Sequence, residues 1–456
     1  MEPPASTRPT AAAASWLLLL GPFFFLVYGA CNWLTSLRPN IGSFYFEWEQ
    51  HIPFIPVMII PYMSTDLLFA GSFFLCRDKD ELRTLARRFF WAIVVSCVGF
   101  LLFPLRFAFP RPEVDGFLGM IFNVLTSFDK PYNQAPALHI SLLVLQWMVY
   151  ARHTEGLLKR ALHLWCILIG LSTVLTYQHH VIDLYTGVIV AIVCYYLFPD
   201  RQEQALSTTG LRTLTSKPER IRYPVLWAYV GGTLLFAILA WAHWQVTHLL
   251  LWTAASLGVV AAAYAGLGTA VFLKFSGKLS LCSKIALAPY LMGAYLSFLR
   301  YSSNTQAYQE VIPGIIISRK LTNEEAQKAI LFGVKAVVDL TAEFDEATPF
   351  LSLPYLNLQV LDLTTPTLLQ LEHAVEFIRA HHSQGKVLIH CALGYSRSAC
   401  VVAAYLLASG QAVSAANAVE MIRKVRPDIV LRKQPLAMIE AYGRGCVSRA
   451  MVEVQA

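Results

Sequence analysis

The chain has 456 residues, of which 56% are apolar and only 14% charged, and its mean hydropathy is +0.51. Soluble globular chains carry roughly 25% charged residues, so much of this one does not face water, and disordered, collagenous and nucleic-acid-binding classes are excluded. The 36 basic residues exceed the 29 acidic ones by +7, and the nine cysteines lie scattered, several inside apolar runs, without the paired spacing of a disulfide framework or a zinc site.

A bilayer core about 30 Å thick needs about 20 apolar helical residues. Runs of that kind predict about eight spans, at 15–37, 52–76, 89–109, 136–150, 161–176, 181–198, 223–244 and 249–272. The first contains a faint lipobox-like stretch at 26–31, but Tyr28 and Trp33 argue against a cleaved leader, and it is read as a span. Lys and Arg accumulate in cytoplasmic loops. Arg8 precedes the first span, Arg77, Lys79, Arg83, Arg87 and Arg88 fill the second loop, and Arg152, Lys159 and Arg160 the fourth; Arg201, Arg212, Lys217, Arg220 and Arg222 follow the sixth span. The amino terminus is therefore expected in the cytoplasm, and the segments 111–135 and 177–180 on the outer face.

Two ionisable clusters sit at that outer level, where such residues are costly and default to functional candidates. Asn133-Gln-Ala-Pro136-Ala-Leu-His139 opens the fourth span, and His179-His180-Val-Ile-Asp183 opens the sixth. His179 and Asp183 are one helical turn apart, so the carboxylate can orient one ring nitrogen and leave the other as a nucleophile. Arg106 and Arg111-Pro112 end the third span beside them and offer cations to a phosphate. His180, His243 and His248 are read as ordinary interfacial side chains. Across 89–198 this constellation resembles the type 2 phosphatidic acid phosphatase superfamily. Arg111-Pro112 matches the end of its first motif, although Pro104 stands at the lysine position, which Arg106 substitutes. Pro136-Ala-Leu-His139 is similar to the second motif as it occurs in the inositolphosphotransferase branch, and Ser172-Thr173 with His179 and Asp183 to the third, without its arginine. The resemblance implies His179 as phosphohistidine nucleophile, Asp183 as its orienter and His139 as acid for the leaving group. With the lysine and arginine missing, a hydrolase, a transferase and a degenerate site all remain open.

The polar stretch 201–222 is read as a cytoplasmic linker, and 223–301 as additional spans followed by an interfacial helix; Pro289, Lys278 and Lys284 leave a ninth span as the alternative. Beyond Ser302 the composition becomes that of a soluble domain large enough for its own core.

Within that domain Lys386-Val-Leu-Ile-His390 reads as a buried strand, Cys391-Ala-Leu-Gly-Tyr-Ser-Arg397-Ser398 as a tight loop, and the apolar run from Ala399 as a helix. A loop closing onto a helix start aims backbone N–H groups at one point and adds the positive dipole end. Gly394 lets the backbone turn, Arg397 can grip two phosphate oxygens, and a cysteine in such a field ionises readily. The pattern resembles the cysteine-dependent protein tyrosine phosphatase superfamily, most closely its dual-specificity branch, across about 311–442. The resemblance implies phosphocysteine formation at Cys391, phosphate binding by Arg397 and help for the departing thiolate from Ser398. It also implies a general acid on an upstream loop, which matches Asp362 at the end of the run 358–362; Asp339, Asp345 and Glu346 are rivals, the first read as closing a strand and the other two as solvated.

The expected architecture is a polytopic α-helical membrane bundle followed by a soluble α/β phosphatase domain with a central sheet flanked by helices. The divisions are 1–200 for a lipid phosphatase or phosphotransferase-like membrane domain, 201–222 for the linker, 223–301 for further spans and 302–456 for the cysteine-dependent phosphatase. The expected substrates are a phosphorylated lipid or phosphoprotein, with membrane lipids as partners, no nucleic acid, no cofactor and no metal. The outer histidine site and the cytosolic cysteine site would serve opposite faces of a bacterial inner or cell membrane. A headgroup transferase, or an inactive anchor for a protein phosphatase, is the alternative reading of the membrane part.

Overall fold

The computed structural model describes residues 8–200, 221–242, 250–303 and 305–455. Most of the expected linker (201–220), together with His243 and His248, lies outside the described residues. The chain divides into two compact units, Met1–Arg201 and Gln202–Ala456. Residues 223–301, expected as further spans, therefore fold in one unit with the phosphatase sequence.

The first unit is helical: α1 (Thr10–Ser36), α2 (Ile59–Leu75), α3 (Lys79–Leu102), α4 (Gly116–Phe128), α5 (Leu138–His153), α6 (Gly156–Leu175) and α7 (Val181–Leu197). Among the described residues of the whole chain, six helices are long and apolar enough to cross a membrane: Thr10–Ser36, Pro56–Leu75, Lys79–Leu102, Gly156–Leu175, Tyr223–Ala242 and Leu250–Phe272. Helix α3 begins ten residues before the span expected there, because the Asp78 carboxylate caps it by accepting from the N–H groups of Asp80 and Glu81. Arg83, Arg87 and Arg88 are thus helical rather than in a loop. Arg88 is buried, donating to the Phe198 carbonyl (2.6 Å), pairing with Asp200 (3.1 Å) and covering the Tyr195 ring. The helix stops at Leu102, two residues short of Pro104, whose missing N–H cannot continue it. The expected outer loop 111–135 contains the apolar helix α4.

Helices α5 and α7 meet at Gly187. A Cβ there would lie 2.5 Å from the Ala137 carbonyl, and the Ser141 hydroxyl donates to the Gly187 carbonyl (2.9 Å). This close approach brings the amino-terminal ends of the two helices together.

The second unit opens with helices α8 (Tyr223–Ala242) and α9 (Leu250–Ala262), packed through Gly232 against Leu257 and Gly258 against Thr233, small residues that let helices approach. A hairpin of β1 (Lys274–Phe275) and β2 (Lys278–Leu279) follows, then α10 (Leu281–Ala286) and α11 (Ala288–Ser302). The remaining strands are β3 (Tyr308–Ile312), β4 (Ile315–Ser318), β5 (Val334–Thr341), β6 (Tyr355–Val360) and β7 (Lys386–His390), ordered β3-β4-β7-β5-β6, with only β3 antiparallel to its neighbour. Both faces are covered, so the inner strands are near-continuously apolar. One face packs on α13 (Leu368–His382), α14 (Arg397–Ala408), α15 (Ala415–Val425) and α16 (Lys433–Gln455), the other on α12 (Asn323–Leu331) and the turn at Thr348–Ser352.

The β1–β2 hairpin is tied into this sheet. The fully buried Lys274 ammonium donates to Asp339 (2.6 Å) and to the carbonyl (2.9 Å) and hydroxyl (3.0 Å) of Thr341, while Gln359 donates to the Lys274 carbonyl. Lys284 pairs with Asp345, and the Leu279 N–H bonds the same carboxylate.

Candidate active site

Strand β7 is central, and the loop at its carboxyl end runs from Cys391 straight into α14. Cys391 is 3% exposed. The Gly394 N–H points at its sulfur (3.3 Å), and the Ser398 hydroxyl lies 3.5 Å away. The outward side of the loop is tied back to the fold: the carbonyls of Ala392, Leu393 and Tyr395 accept from the Lys320 N–H, the Arg426 guanidinium and the Val430 N–H. With its carbonyls turned outward, the loop turns N–H groups inward, a nest for an anion. Gly394 sits at φ +74°, and a Cβ there would fall 2.6 Å from the Ser318 carbonyl, so both conformation and space require glycine.

Burial alone would raise the Cys391 pKa. The Arg397 charge and the hydrogen bonds from Ser398 and Gly394 outweigh that, and the thiol is held below its ordinary value. Arg397 is itself 3% exposed and oriented by carboxylates. Glu343 grips it with both oxygens (2.8 and 3.3 Å), Asp362 accepts from the same guanidinium (3.1 Å), and the Val360 carbonyl takes a further bond (2.8 Å). Burial would lower its pKa, yet these carboxylates hold it well above the ordinary value.

Asp362 stands just past β6, its side chain about half exposed. Its loop is pinned from the preceding helical segment: the Tyr264 hydroxyl donates to the Asp362 carbonyl (2.7 Å), and Arg222 donates to the Leu363 carbonyl. Cys391, Arg397, Asp362 and Glu343 all line one cavity of about 750 Å³.

The three rival acids stand elsewhere. Asp339 is fully buried, accepting from Thr341 on one oxygen and from Lys274 and Tyr355 on the other. Glu346, expected to be solvated, is buried and bonds His390 (2.6 Å); the β7 strand that carries His390 ends against it. Asp345 pairs with Lys284. Asp339, Glu346 and His390 lie close enough together to hold a metal ion, but the Lys274 ammonium already supplies the cation on Asp339. Burial would lower the His390 pKa, while Glu346 and Asp339 more than reverse this and push it up to about 9. Glu343 escaped the sequence reading because nothing local marks it: it is one acid among three in the stretch 343–346, and only the fold places it against Arg397.

In the first unit the structure brings His139 and His179 to one cavity of about 60 Å³, and His179 and Arg111 to a second of about 330 Å³. His139 stacks on Tyr62 and shares a 2.8 Å hydrogen bond with Thr65. His179 Nδ1 lies 3.6 Å from Asp183, whose Oδ2 accepts from the His180 N–H instead (2.8 Å). Arg106 is exposed and lines neither cavity, so it does not join Arg111 as expected. His180 is not interfacial: it is buried against Phe107 and Tyr45 and paired with Glu49 (3.0 Å). Asp129, which lines both cavities and accepts from Tyr28 (2.8 Å) and Asn32 (3.3 Å), was not signalled by any motif.

The second unit thus carries an α/β phosphatase domain with a cysteine at the head of an anion-binding loop. Residues 315–444 match the family model described as the dual specificity phosphatase catalytic domain. The phosphatidylglycerophosphatase and protein-tyrosine phosphatase 1 of Rattus norvegicus is 37% identical over 97 residues, 21% of this chain and 50% of that protein. Its Homo sapiens counterpart is 31% identical over 150 residues, 31% of this chain and 73% of that one. The crystal structure of PTPMT1 in complex with PI(5)P matches 32% of this chain and 99% of that chain at 25% identity, with a TM-score of 0.30. Through this domain the chain belongs to the dual-specificity phosphatase family, and it spans about half the length of the rat relative.

Proposed function

We propose that the chain is a membrane-bound phosphomonoesterase whose nucleophile is Cys391. The thiolate attacks phosphorus, a sulfur–phosphorus bond forms as the ester oxygen–phosphorus bond breaks, and Asp362 gives its proton to the departing oxygen. Water then cleaves the phosphocysteine, releasing inorganic phosphate, with the Ser398 hydroxyl assisting the leaving thiolate. Arg397 and the inward amides of the loop stabilise the transferring phosphoryl group throughout. The observation that carries this reading is the convergence of the Gly394 N–H, the Ser398 hydroxyl and the Arg397 charge on the Cys391 sulfur. The six apolar helices support a membrane location, and the basic loops support a cytoplasmic side for the cysteine unit. In the full-length protein Cys391→Ser should abolish hydrolysis of an aryl phosphate, and Asp362→Ala should slow it by about 10²–10⁴-fold. Undiminished turnover by the serine variant would remove the assignment.

A second reading concerns the first unit, and the sharing of one cavity by His139 and His179 favours it. There a lipid phosphate would be transferred through His179, with His139 as acid and Arg111 as the nearby cation; Asp183 would orient His179 only after closing the present 3.6 Å separation. His179→Ala should then remove a phospholipid phosphatase activity that survives in Cys391→Ser. Labelled products formed with added inositol or glycerol would identify a transferase, and membranes indifferent to His179→Ala would identify an inactive anchor.

A further inference from the structure

The cavity above Cys391 is not walled by the phosphatase sequence alone. Its far side is built from the preceding helices, through Tyr229 of α8, Leu257 of α9, and Tyr290, Gly293, Ala294 and Phe298 of α11. Positions 290, 294 and 298, one helical turn apart, form one stripe of α11, and Phe298 packs on Phe344 beside the Arg397 anchor Glu343. The opposite stripe of the same helix is apolar as well, with Met292 63% and Leu296 58% exposed. Only in its last turn does that outer stripe become charged, at Arg300; its earlier turns expose apolar side chains that favour cover over water, and α8 and the segment Leu250–Phe272 are each long enough to span a bilayer. A polar phosphate end and a long apolar side thus form a single continuous cavity.

We infer that this wall is a binding site for the hydrocarbon chain of the substrate, so that the Cys391 site takes the phosphate monoester of a membrane lipid rather than a phosphoprotein. The inference rests on the catalytic reading of Cys391. The phosphate enters the loop 391–397 while the chain lies along Ala294 and Leu257, with α11 offering an apolar path from the bilayer. Gly293 faces open space in this wall: a Cβ there meets nothing within 4 Å, so a larger side chain can be placed at this position.

The test uses the full chain with His179→Ala, so that only the Cys391 site is read, in detergent with monoalkyl phosphates of increasing chain length, each below its critical micelle concentration, and a phosphotyrosyl peptide for comparison. Catalytic efficiency should rise by about twofold or more per added methylene, below the ceiling of about fourfold that burial of a CH₂ sets. Gly293→Phe and Ser297→Phe, each projecting a ring into the cavity, should flatten that rise. A flat profile with the wall unaltered, a rise that survives both wall variants, or a peptide turned over more efficiently than the longest alkyl phosphate would each overturn the inference. Hydrolysis of the shortest alkyl phosphate by the Cys391→Ser, His179→Ala double variant would instead remove the catalytic reading beneath it, a failure separate from that of the chain site.

Discussion

In the proposed mechanism Arg397 faces two demands at once: it meets an incoming phosphate dianion, and until then it is a buried cation whose charge must be compensated. Glu343 meets the second demand with a bidentate grip that also fixes the plane of the guanidinium, leaving the first to its remaining edge. Replacing that carboxylate by an amide removes a charged hydrogen-bond partner, which is usually worth about 1.5–3 kcal/mol. Glu343→Gln should therefore lower kcat/KM for an aryl phosphate by about 10- to 100-fold, and an unchanged value would show that Arg397 is held by its other partners alone. His390 supplies a pH test at the same scale. Its folded pKa, pushed up to about 9, lies above the unfolded value of about 6.5. Its contribution to stability is therefore full below pH 6.5 and lost as the pH climbs through 9. Denaturant midpoints measured across that interval should fall, and should fall less in Glu346→Gln.

At the scale of elements, the short β1–β2 hairpin matters more than its four strand residues suggest. Lys274 enters the core and pairs with Asp339 on β5, beside β7 in the sheet, with Thr341 completing its hydrogen bonds. A buried pair is weak evidence of net stabilisation, but breaking it from one side leaves an uncompensated charge, at a cost of about 3–5 kcal/mol. Lys274→Met should depress the unfolding midpoint of the second unit accordingly, whereas the double change Lys274→Met with Asp339→Asn should recover part of the loss. Hydrophobic periodicity and turn signals made β7, the loop after it and α14 readable as a strand, loop and helix. The hairpin was not readable, because two-residue strands carry no period and Lys274 looks like any basic residue following a span. The same holds for α3: its start depends on the Asp78 cap, and a scan for apolar runs sees only Phe89 onward.

For the whole molecule, the phosphatase sequence beginning near Ser302 does not hold all of its own contacts: it lies in one compact unit with residues from 202 onward. The sheet borrows Lys274 from upstream, the Asp362 loop is held by Tyr264 and Arg222, and the cavity takes one wall from α8, α9 and α11. A fragment starting at Ile221, which keeps Arg222, should keep Cys391-dependent hydrolysis and a cooperative unfolding transition in detergent. One starting at Ser302 should unfold at markedly lower denaturant and hydrolyse aryl phosphate poorly; equal stability of the two would contradict this dependence.

The amino-acid sequence by itself determined the apolar helices and the loop from Cys391 to Ser398, because span length and the spacing from Cys391 to Arg397 are local properties that backbone geometry converts directly into structure. Only the tertiary structure decided that Glu343 orients Arg397, that Glu346 is buried on His390 while Arg106 stays exposed, and that apolar helices close the cavity. Those facts are pairings between segments distant in the chain, settled by which charges find compensation and which surfaces find cover once the core has packed, and no local pattern of residues encodes them.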